Sequence, residues 1–378
     1  MTSGPCLHEI QRLPTSGARA AVPFDLDGQL FLAIPQLAQD IAGDPPDMNG
    51  GTSDLDSLIY RWEPSGEPAG VTAGGGAFAE YQRIPSHGGE SIAFFSLDGR
   101  SFLAVAQIRS GTRPDFDYRP ASMLYGWDGS RFVPVQGFPT FAAKHVHAFR
   151  IGRRHFLAFA EALAPPGAPE ADTCSHIYSW NGRAFEPFQA LPSKWGYGFT
   201  HFRCDGHDFL ALADHAQASV LYRWTDESFQ PFQSFAEAGG GRHFRAFEGD
   251  GGAYLAFANL TGGSGLYEWQ GGRFALTQSL EGKGARNFQA LSNGGAQYLF
   301  RTNYITGTPT APTAALDSQL YRFEGGRLAL AATYPTSGGT EAAPFQVGRT
   351  AYLAVANSLS ADIRFRTDTV IYRFDDRA

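Results

Sequence analysis

Groups able to bind metals or transfer protons are concentrated in the middle of the chain. Eight of the ten histidines lie between residues 145 and 243. In the stretch "KHVHAF", His145 and His147 are two residues apart, so on a β-strand both side chains would project from the same face. Neutral imidazole is both a metal ligand and a proton acceptor near neutral pH. What this pair does depends on the element that carries it.

Seven copies of one pattern run along the chain and place these histidines on a strand. In each copy an aromatic residue or leucine, called the anchor below, is followed eight residues later by leucine. The anchors are Phe24, Phe95, Phe149, Phe202, Phe247, Leu291 and Phe345. A tyrosine with an aromatic residue two positions later then follows, at Tyr60, Tyr125, Tyr178, Tyr222, Tyr267, Tyr321 and Tyr372. Repetition at this spacing indicates one structural unit per copy.

A further strand closes each unit and usually ends near a glutamine, as at Gln136, Gln189, Gln233 and Gln278. Each unit therefore has four short strands, called A to D from the axis outward, with turns such as "LDGR" between the first two. Seven such units predict an all-β fold, a seven-bladed β-propeller of four-stranded antiparallel blades, as a single domain over residues 1–378. The chain opens on "HEIQRLP", which matches strand D, so the N-terminal strand is expected to close the last blade.

Composition agrees with an all-β chain and argues against some partners. Thirty-one Phe, 15 Tyr, 45 Gly and 23 Pro favour strands and turns. A net charge of −7 without a basic run predicts no nucleic-acid or anionic-lipid partner, and apolar runs of about five residues predict no membrane span. The start lacks a basic-then-apolar secretion signal and three cysteines are too few for a disulfide framework. We expect a cytoplasmic location; secretion after removal of a signal peptide stays open.

The repeat resembles a known family. The segments "FxPxQ", "F-x7-L-A-x-A-N/Q" and "S-x-IYxW" are similar to the epitempin (EPTP or EAR) repeat of the leucine-rich glioma-inactivated family, here without its leucine-rich-repeat domain. The likeness covers Leu7 to Phe374, with departures at Leu291, Phe300 and Ala332. It implies a seven-bladed propeller that recognises protein partners. The family often has Asp four residues before the anchor; the residues here are Ala20, Ser91, His145, Gly198, His243, Asn287 and Glu341.

A binding site is expected where the long inserts meet. All of them fall between strands B and C, at residues 36–58, 107–123, 161–176, 303–319 and 357–370. The B-to-C and D-to-A links emerge on one face of a propeller, so this face, around the channel mouth, is the predicted binding face. Blades 4 and 5 have short links that leave a gap beside "SKWGYGF". The expected ligand-binding residues are Lys144, His147, Trp195, Arg242, Arg286, Asn287, Gln289, Phe116 and Tyr118.

Two functions remain open for this face. One is a recognition module for a small molecule or a protein. The other is a small-molecule enzyme, a lyase, cyclase or hydrolase, whose candidate catalytic residues are His145, His243, Arg245 and Tyr197. No cofactor is certain, but His145, His243 and Glu341 occupy one register and could hold a divalent metal such as Zn, Fe, Mn or Cu. The alternative is a water-filled channel that tolerates polar side chains. Asp214 and His215 could form an acid–base pair, although turn capping by Asp214 is the favoured interpretation.

Overall fold

The computed structural model describes residues 5–65, 75–163 and 173–375. Seven four-stranded antiparallel sheets contain nearly all of the strands. The innermost strands A are Val22–Leu26, Gly89–Leu97, His145–Ile151, Gly196–Cys204, Gly241–Gly249, Ala285–Asn293 and Gly339–Val347. Strands B are Gln29–Ile34, Arg100–Gln107, Arg154–Ala160, His207–Asp214, Gly252–Asn259, Ala296–Asn303 and Thr350–Asn357.

The two outer strands complete each blade. Strands C are Ser57–Pro64, Ser122–Trp127, Cys174–Trp180, Ser219–Thr225, Ser264–Gln270, Ala315–Glu324 and Arg366–Asp375. Strands D are Gly76–Ile84, Phe132–Phe138, Phe185–Pro192, Ser228–Phe235, Arg273–Leu280, Arg327–Ser337 and, for blade 7, Cys6–Ser16. A small hairpin, Thr306–Thr308 with Ala311–Thr313, lies in the insert of blade 6. None of the described residues forms a helix long and apolar enough to cross a bilayer.

The blades form a closed ring. Each strand A contacts the strands A of its two neighbours, and blade 7 contacts blade 1 in the same way. The N-terminal strand pairs with the C-terminal strand from Cys6 opposite Asp375 to Ser16 opposite Arg366. The predicted seven-bladed propeller and its closure by the N-terminal strand are therefore confirmed.

Tight turns between strands A and B set the register of each blade. In the turn Asp205–Gly206 both residues have positive φ, 48° and 77°. Two-residue hairpins with a type I′ turn need this conformation, which matches the twist of the flanking strands, and Asp-Gly adopts it at low cost. The same pair of residues makes this turn in blades 1, 2 and 5.

The core lies between neighbouring blades rather than within any one of them. Between blades 3 and 4, for example, the anchor Phe149 stacks on Phe156 at 5.2 Å and meets Phe229 edge-on at 5.9 Å. Leu210 and Tyr222 of blade 4 complete this buried cluster. Burying one such side chain contributes about 1.5–3 kcal/mol, so packing against its neighbours stabilises each blade.

A glutamine on strand D clasps the next blade. The Gln189 side chain donates to the backbone carbonyl of Phe229 at 2.8 Å and accepts from the Phe229 N–H at 2.9 Å. Gln11, Gln82, Gln136, Gln233 and Gln278 make the same pair of bonds to the following blade. A β-bulge in every blade places this residue opposite the middle of strand C.

The seam between blades 6 and 7 is built differently. Ala332 occupies the position of the glutamine, since it pairs with Leu320 just before the bulge. Two residues later, on the same face of the strand, the Tyr334 hydroxyl accepts from the Leu7 N–H at 3.2 Å and lies 3.3 Å from the Pro5 carbonyl oxygen. The tyrosine thus supplies the link that the missing glutamine makes elsewhere.

Candidate functional site

One register at or just before the start of strand A forms a ring at the channel mouth. The residue five positions before each anchor lies there, and we call these seven residues the mouth ring: Arg19, Glu90, Lys144, Tyr197, Arg242, Arg286 and Thr340. Four of them are basic and one is acidic. Because equivalent positions of a closed ring lie at one height along its axis, side chains from distant blades reach each other here.

Glu90 is the negative centre of the mouth ring. Its carboxylate lies 3.4 Å from Arg19 Nε, 3.6 Å from Lys144 Nζ and 3.3 Å from Arg286 Nη2, and its side chain is only 1% exposed. Arg286 belongs to blade 6, so this contact crosses the channel. Burial alone would raise the pKa of Glu90, but the surrounding cations outweigh burial and lower the pKa to about 2.

Tyr197 provides an aromatic surface for Arg242 and Lys144. The guanidinium carbon of Arg242 lies 3.6 Å from the centre of its ring, and Lys144 Nζ lies 5.0 Å from it. Burial alone would raise the pKa of the Tyr197 phenol, but the charges of Arg242 and Lys144 outweigh burial and lower it. Desolvation lowers the pKa of Arg242 to about 10. These contacts hold positive charge at a site that water reaches poorly.

A cavity of about 580 Å³ lies directly outside the mouth ring. Its walls include Met48 and Asn49 from the insert of blade 1, Arg109 from blade 2 and the segment 304–309 from blade 6. Leu260 and Thr261 close it on the side where the links are short. The expected gathering of inserts around the mouth is therefore present in the described residues, whereas 164–172 of the blade 3 insert lie outside them.

The inserts form a packed wall. Arg109 is buried and donates to the Ser53 hydroxyl at 3.0 Å and to the Asn49 and Gly50 carbonyls at 3.3 and 3.2 Å. It thereby ties the inserts of blades 1 and 2 together. Residues of the inserts and of the blade 5 link also form an apolar cluster, which includes Leu37, Ile108, Leu260, Tyr304 and Phe365. Because the inserts pack against one another, the cavity is pre-formed.

Inside the mouth ring a second cavity of about 200 Å³ continues along the channel. Its lining contains the predicted residues His145, His147, His243, Arg245, Asn287, Gln289 and Glu341. His145 Nδ1 accepts from the Phe199 N–H at 3.2 Å, and His147 Nε2 accepts from the His201 N–H at 3.0 Å. These histidines join blade 3 to blade 4, where strands A lack a backbone ladder. Burial, followed by the charge of Arg286, lowers the pKa of His145 to about 4.

The structure does not assemble the predicted metal ligands His145, His243 and Glu341. No group of three or more His, Cys, Asp or Glu side chains within the described residues is placed to hold a metal ion. The three residues belong to alternate blades, and His145 Nδ1 already accepts a backbone hydrogen bond. Burial raises the pKa of Glu341 to about 7, so this carboxyl is only partly ionised near neutral pH.

The other predicted contact residues separate into two groups. Trp195 lines the outer cavity together with Tyr197, at a ring distance of 6.0 Å, and His215 packs edge-on against Trp195 at 5.1 Å. Phe116 and Tyr118 are not part of the cavity lining. Instead, the Phe116 ring lies 3.8 Å from the guanidinium carbon of Arg109 and supports it from behind.

Asp214 caps the link into blade 4. Its carboxylate accepts from the Lys194 N–H at 2.8 Å, the Trp195 N–H at 3.1 Å and the Ala216 N–H at 2.9 Å. Asn357 does the same for the link into blade 7, accepting from the Ser337 N–H at 3.0 Å. The acid–base pair is thus not formed, because backbone amides occupy the Asp214 oxygens.

Several residues of the site were not expected from the sequence. Glu90 and Arg19 are not among the expected ligand-binding residues, yet Glu90 pairs with Arg19 and with two further cations of the mouth ring. The anchor register signalled them, since both lie five positions before an anchor. Arg109 and Tyr304 carry no such signal, because they belong to inserts that do not repeat.

These features define a class of protein: a seven-bladed propeller with a polar channel, a cationic mouth and a walled cavity above it. A family model described as "EPTP domain" matches residues 8–63, 77–128, 131–181, 184–225 and 228–270, more than half of the chain. The chain belongs to the EPTP domain family. Each match starts in, or one residue before, strand D of one blade and ends in, or one residue after, strand C of the next, so one repeat spans parts of two blades.

Curated relatives align with part of this chain. A human protein named "Thrombospondin-type laminin G domain and EAR repeat-containing protein" is 31% identical over 162 residues, which is 42% of this chain and 22% of that protein. The mouse "Leucine-rich repeat LGI family member 3" is 26% identical over 246 residues, 54% of this chain and 39% of that protein. The chain therefore spans well under half the length of these relatives.

Proposed function

We propose that this protein is a recognition module that binds its ligand in the cavity at the channel mouth. The observation that carries the proposal is the cavity of about 580 Å³, walled by inserts from three blades and floored by the mouth ring. A concave, pre-formed site of this size, with an apolar wall and a few convergent polar groups, is the usual form of a ligand site. Membership of the EPTP domain family supports a recognition role.

A blocking substitution tests the location. Thr261 is exposed at the cavity wall, so Thr261→Trp fills the cavity without disturbing the core. Arg153→Trp, in an exposed A-to-B turn on the opposite face, is the matched control. Purified wild-type protein is screened by thermal shift against a library of small anions, cations and neutral molecules, because a ligand at 100 times its Kd stabilises the folded state by about 2.7 kcal/mol.

The expected result is a set of stabilising ligands whose effect is lost in Thr261→Trp and kept in Arg153→Trp. The proposal fails if the stabilising ligands act equally on both variants, since the cavity would then not be their site.

A small-molecule enzyme at the same place is the second candidate. It is favoured by the lowered pKa of the Tyr197 phenol, because a phenol beside buried cations is suited to proton transfer. Tyr197→Phe separates the two functions. An enzyme of this kind loses turnover of a cavity ligand and still binds it, whereas a recognition module has no turnover to lose.

A further inference from the structure

The mouth ring holds more positive charge than the protein neutralises. Arg19, Lys144 and Arg286 share the single carboxylate of Glu90. Arg242 has no carboxylate within ion-pair distance among the described residues, and its strongest contact is the face of Tyr197. With all four cations protonated, one carboxylate leaves an excess of three positive charges around one opening. Taking charge out of water costs several kcal/mol per ion unless the charge is paired.

Specific donors in this ring lack acceptors. Nε and Nη1 of Arg242 and Nη1 of Arg19 are buried and make no hydrogen bond to any described residue. Arg242 is 6% exposed and Arg19 is 8% exposed, so solvent does little to satisfy them. A buried unsatisfied donor costs about 1–3 kcal/mol. A bound molecule that supplied the missing acceptors would remove this cost.

The cavity above these donors has the walls of an organic ligand site. Leu37, Ile108, Leu260 and Ile305 contribute apolar surface, and Tyr304 contributes an aromatic face. Arg242 and Lys144 line both this cavity and the channel below, so they lie at its floor. A volume of about 580 Å³ fits a molecule of drug size. Because the cations are buried, the flat surface of a partner protein would not reach them.

We propose that the cavity binds a small organic anion, with a phosphate, sulfate or carboxylate head group on Arg242, Lys144 and Arg286 and an apolar body against the insert walls. Guanidinium groups form paired, charge-assisted bonds to such oxyanions, which makes Arg242 the main determinant of head-group binding. This inference rests on the proposed function and adds the chemical class of the ligand.

Isothermal titration calorimetry at low ionic strength tests the charge requirement. The probes are phenyl phosphate, phenyl sulfate and benzoate, with benzyl alcohol as the neutral match, benzylamine as the cationic match and inorganic phosphate as the head group alone. We expect binding of the aromatic anions, weaker binding of inorganic phosphate and no measurable binding of the neutral and cationic probes. Tighter binding of inorganic phosphate than of phenyl phosphate would contradict the organic body of the ligand.

Substitutions test the assigned residues. Arg242→Gln is expected to weaken phenyl phosphate at least tenfold, and Arg286→Gln serves the same purpose if the first variant does not fold. Arg203→Gln, an exposed arginine beside an A-to-B turn, is the matched control and keeps wild-type affinity. Without ligand, Arg242→Gln should have a urea midpoint equal to or above that of the wild type, because an unpaired buried charge is removed. A lower midpoint together with unchanged affinity would assign Arg242 a purely structural role.

The outcomes distinguish this inference from the proposed function. If none of the aromatic anions binds, or if the ligands blocked by Thr261→Trp are neutral or cationic, the anion inference fails while the cavity remains the binding site. If no ligand depends on Thr261, the proposed function itself fails.

Discussion

The glutamine clasp gives a prediction whose size follows from the structure. Gln189→Ala removes two hydrogen bonds from blade 3 to Phe229 of blade 4, at 2.8 and 2.9 Å. Each such bond contributes about 0.5–1.5 kcal/mol net, so the free energy of unfolding should fall by about 1–3 kcal/mol. Urea denaturation followed by far-ultraviolet circular dichroism measures this loss as a lower midpoint at unchanged slope.

The control and the rescue come from the same set of strands. Gln230→Ala removes only an exposed bond to the Ser228 hydroxyl and should change stability by less than about 0.5 kcal/mol. At the seam of blades 6 and 7, Tyr334→Phe should destabilise because Leu7 and Pro5 lose their partner, and adding Ala332→Gln should restore part of the loss. Equal effects of Gln189→Ala and Gln230→Ala, or no rescue by Ala332→Gln, would refute the clasp as an inter-blade link.

Three further predictions concern charge and closure. The pKa of His145 is about 4 in the folded state and 6.5 in the unfolded state. As the pH falls below 6.5, the unfolded state therefore binds a proton before the folded state does. The free energy of unfolding should fall by about 3 kcal/mol for this group between pH 6.5 and pH 4. Urea midpoints across this range should therefore fall less steeply in His145→Gln; Glu341, with a raised pKa, acts in the opposite direction in both proteins. Glu90→Gln should lower the midpoint of the free protein and tighten phenyl phosphate binding by calorimetry, because Glu90 competes for the same cations. Removing residues 1–14 should lower the melting temperature, since blade 7 loses most of strand D; an unchanged cooperative melt would contradict this.

The sequence was sufficient for the fold because the repeat encodes local and long-range information together. The anchor spacing set the two inner strands, and the Asp-Gly pairs set their turns. The match of "HEIQRLP" to strand D set the closure, which the pairing of Cys6 with Asp375 confirms. These signals recur seven times, so a departure such as Leu291 did not obscure the pattern.

The site was predictable only as a set of registers. Counting back from the anchors places Arg242 and Lys144 at the mouth. It does not predict which side chains contact each other, because those contacts depend on how far each side chain reaches across the channel. The contact of Arg286 with Glu90 joins residues 196 positions apart. His145 shows the same limit: its register suggested a metal ligand, whereas its nitrogen accepts from the backbone of blade 4.

The inserts were the least predictable part, because they lack the repeat. Phe116 was expected in the cavity and instead supports Arg109. Tyr304 was not expected at all, and it lines the cavity while Arg19 and Arg286 lie 5.2 and 5.3 Å from its ring. Packing among segments far apart in sequence decides such positions, and no periodic pattern records it.

The position of a heavy oxyanion in a crystal shows directly whether the mouth ring binds anions. Crystals soaked in selenate and measured at the selenium absorption edge show the anion by its anomalous scattering. We expect a selenium peak at the floor of the outer cavity, with oxygens within hydrogen-bonding distance of Arg242 and Lys144, and we expect this peak to be absent in Arg242→Gln. Selenate bound only elsewhere on the wild-type protein, with the mouth ring free of anion, would contradict it.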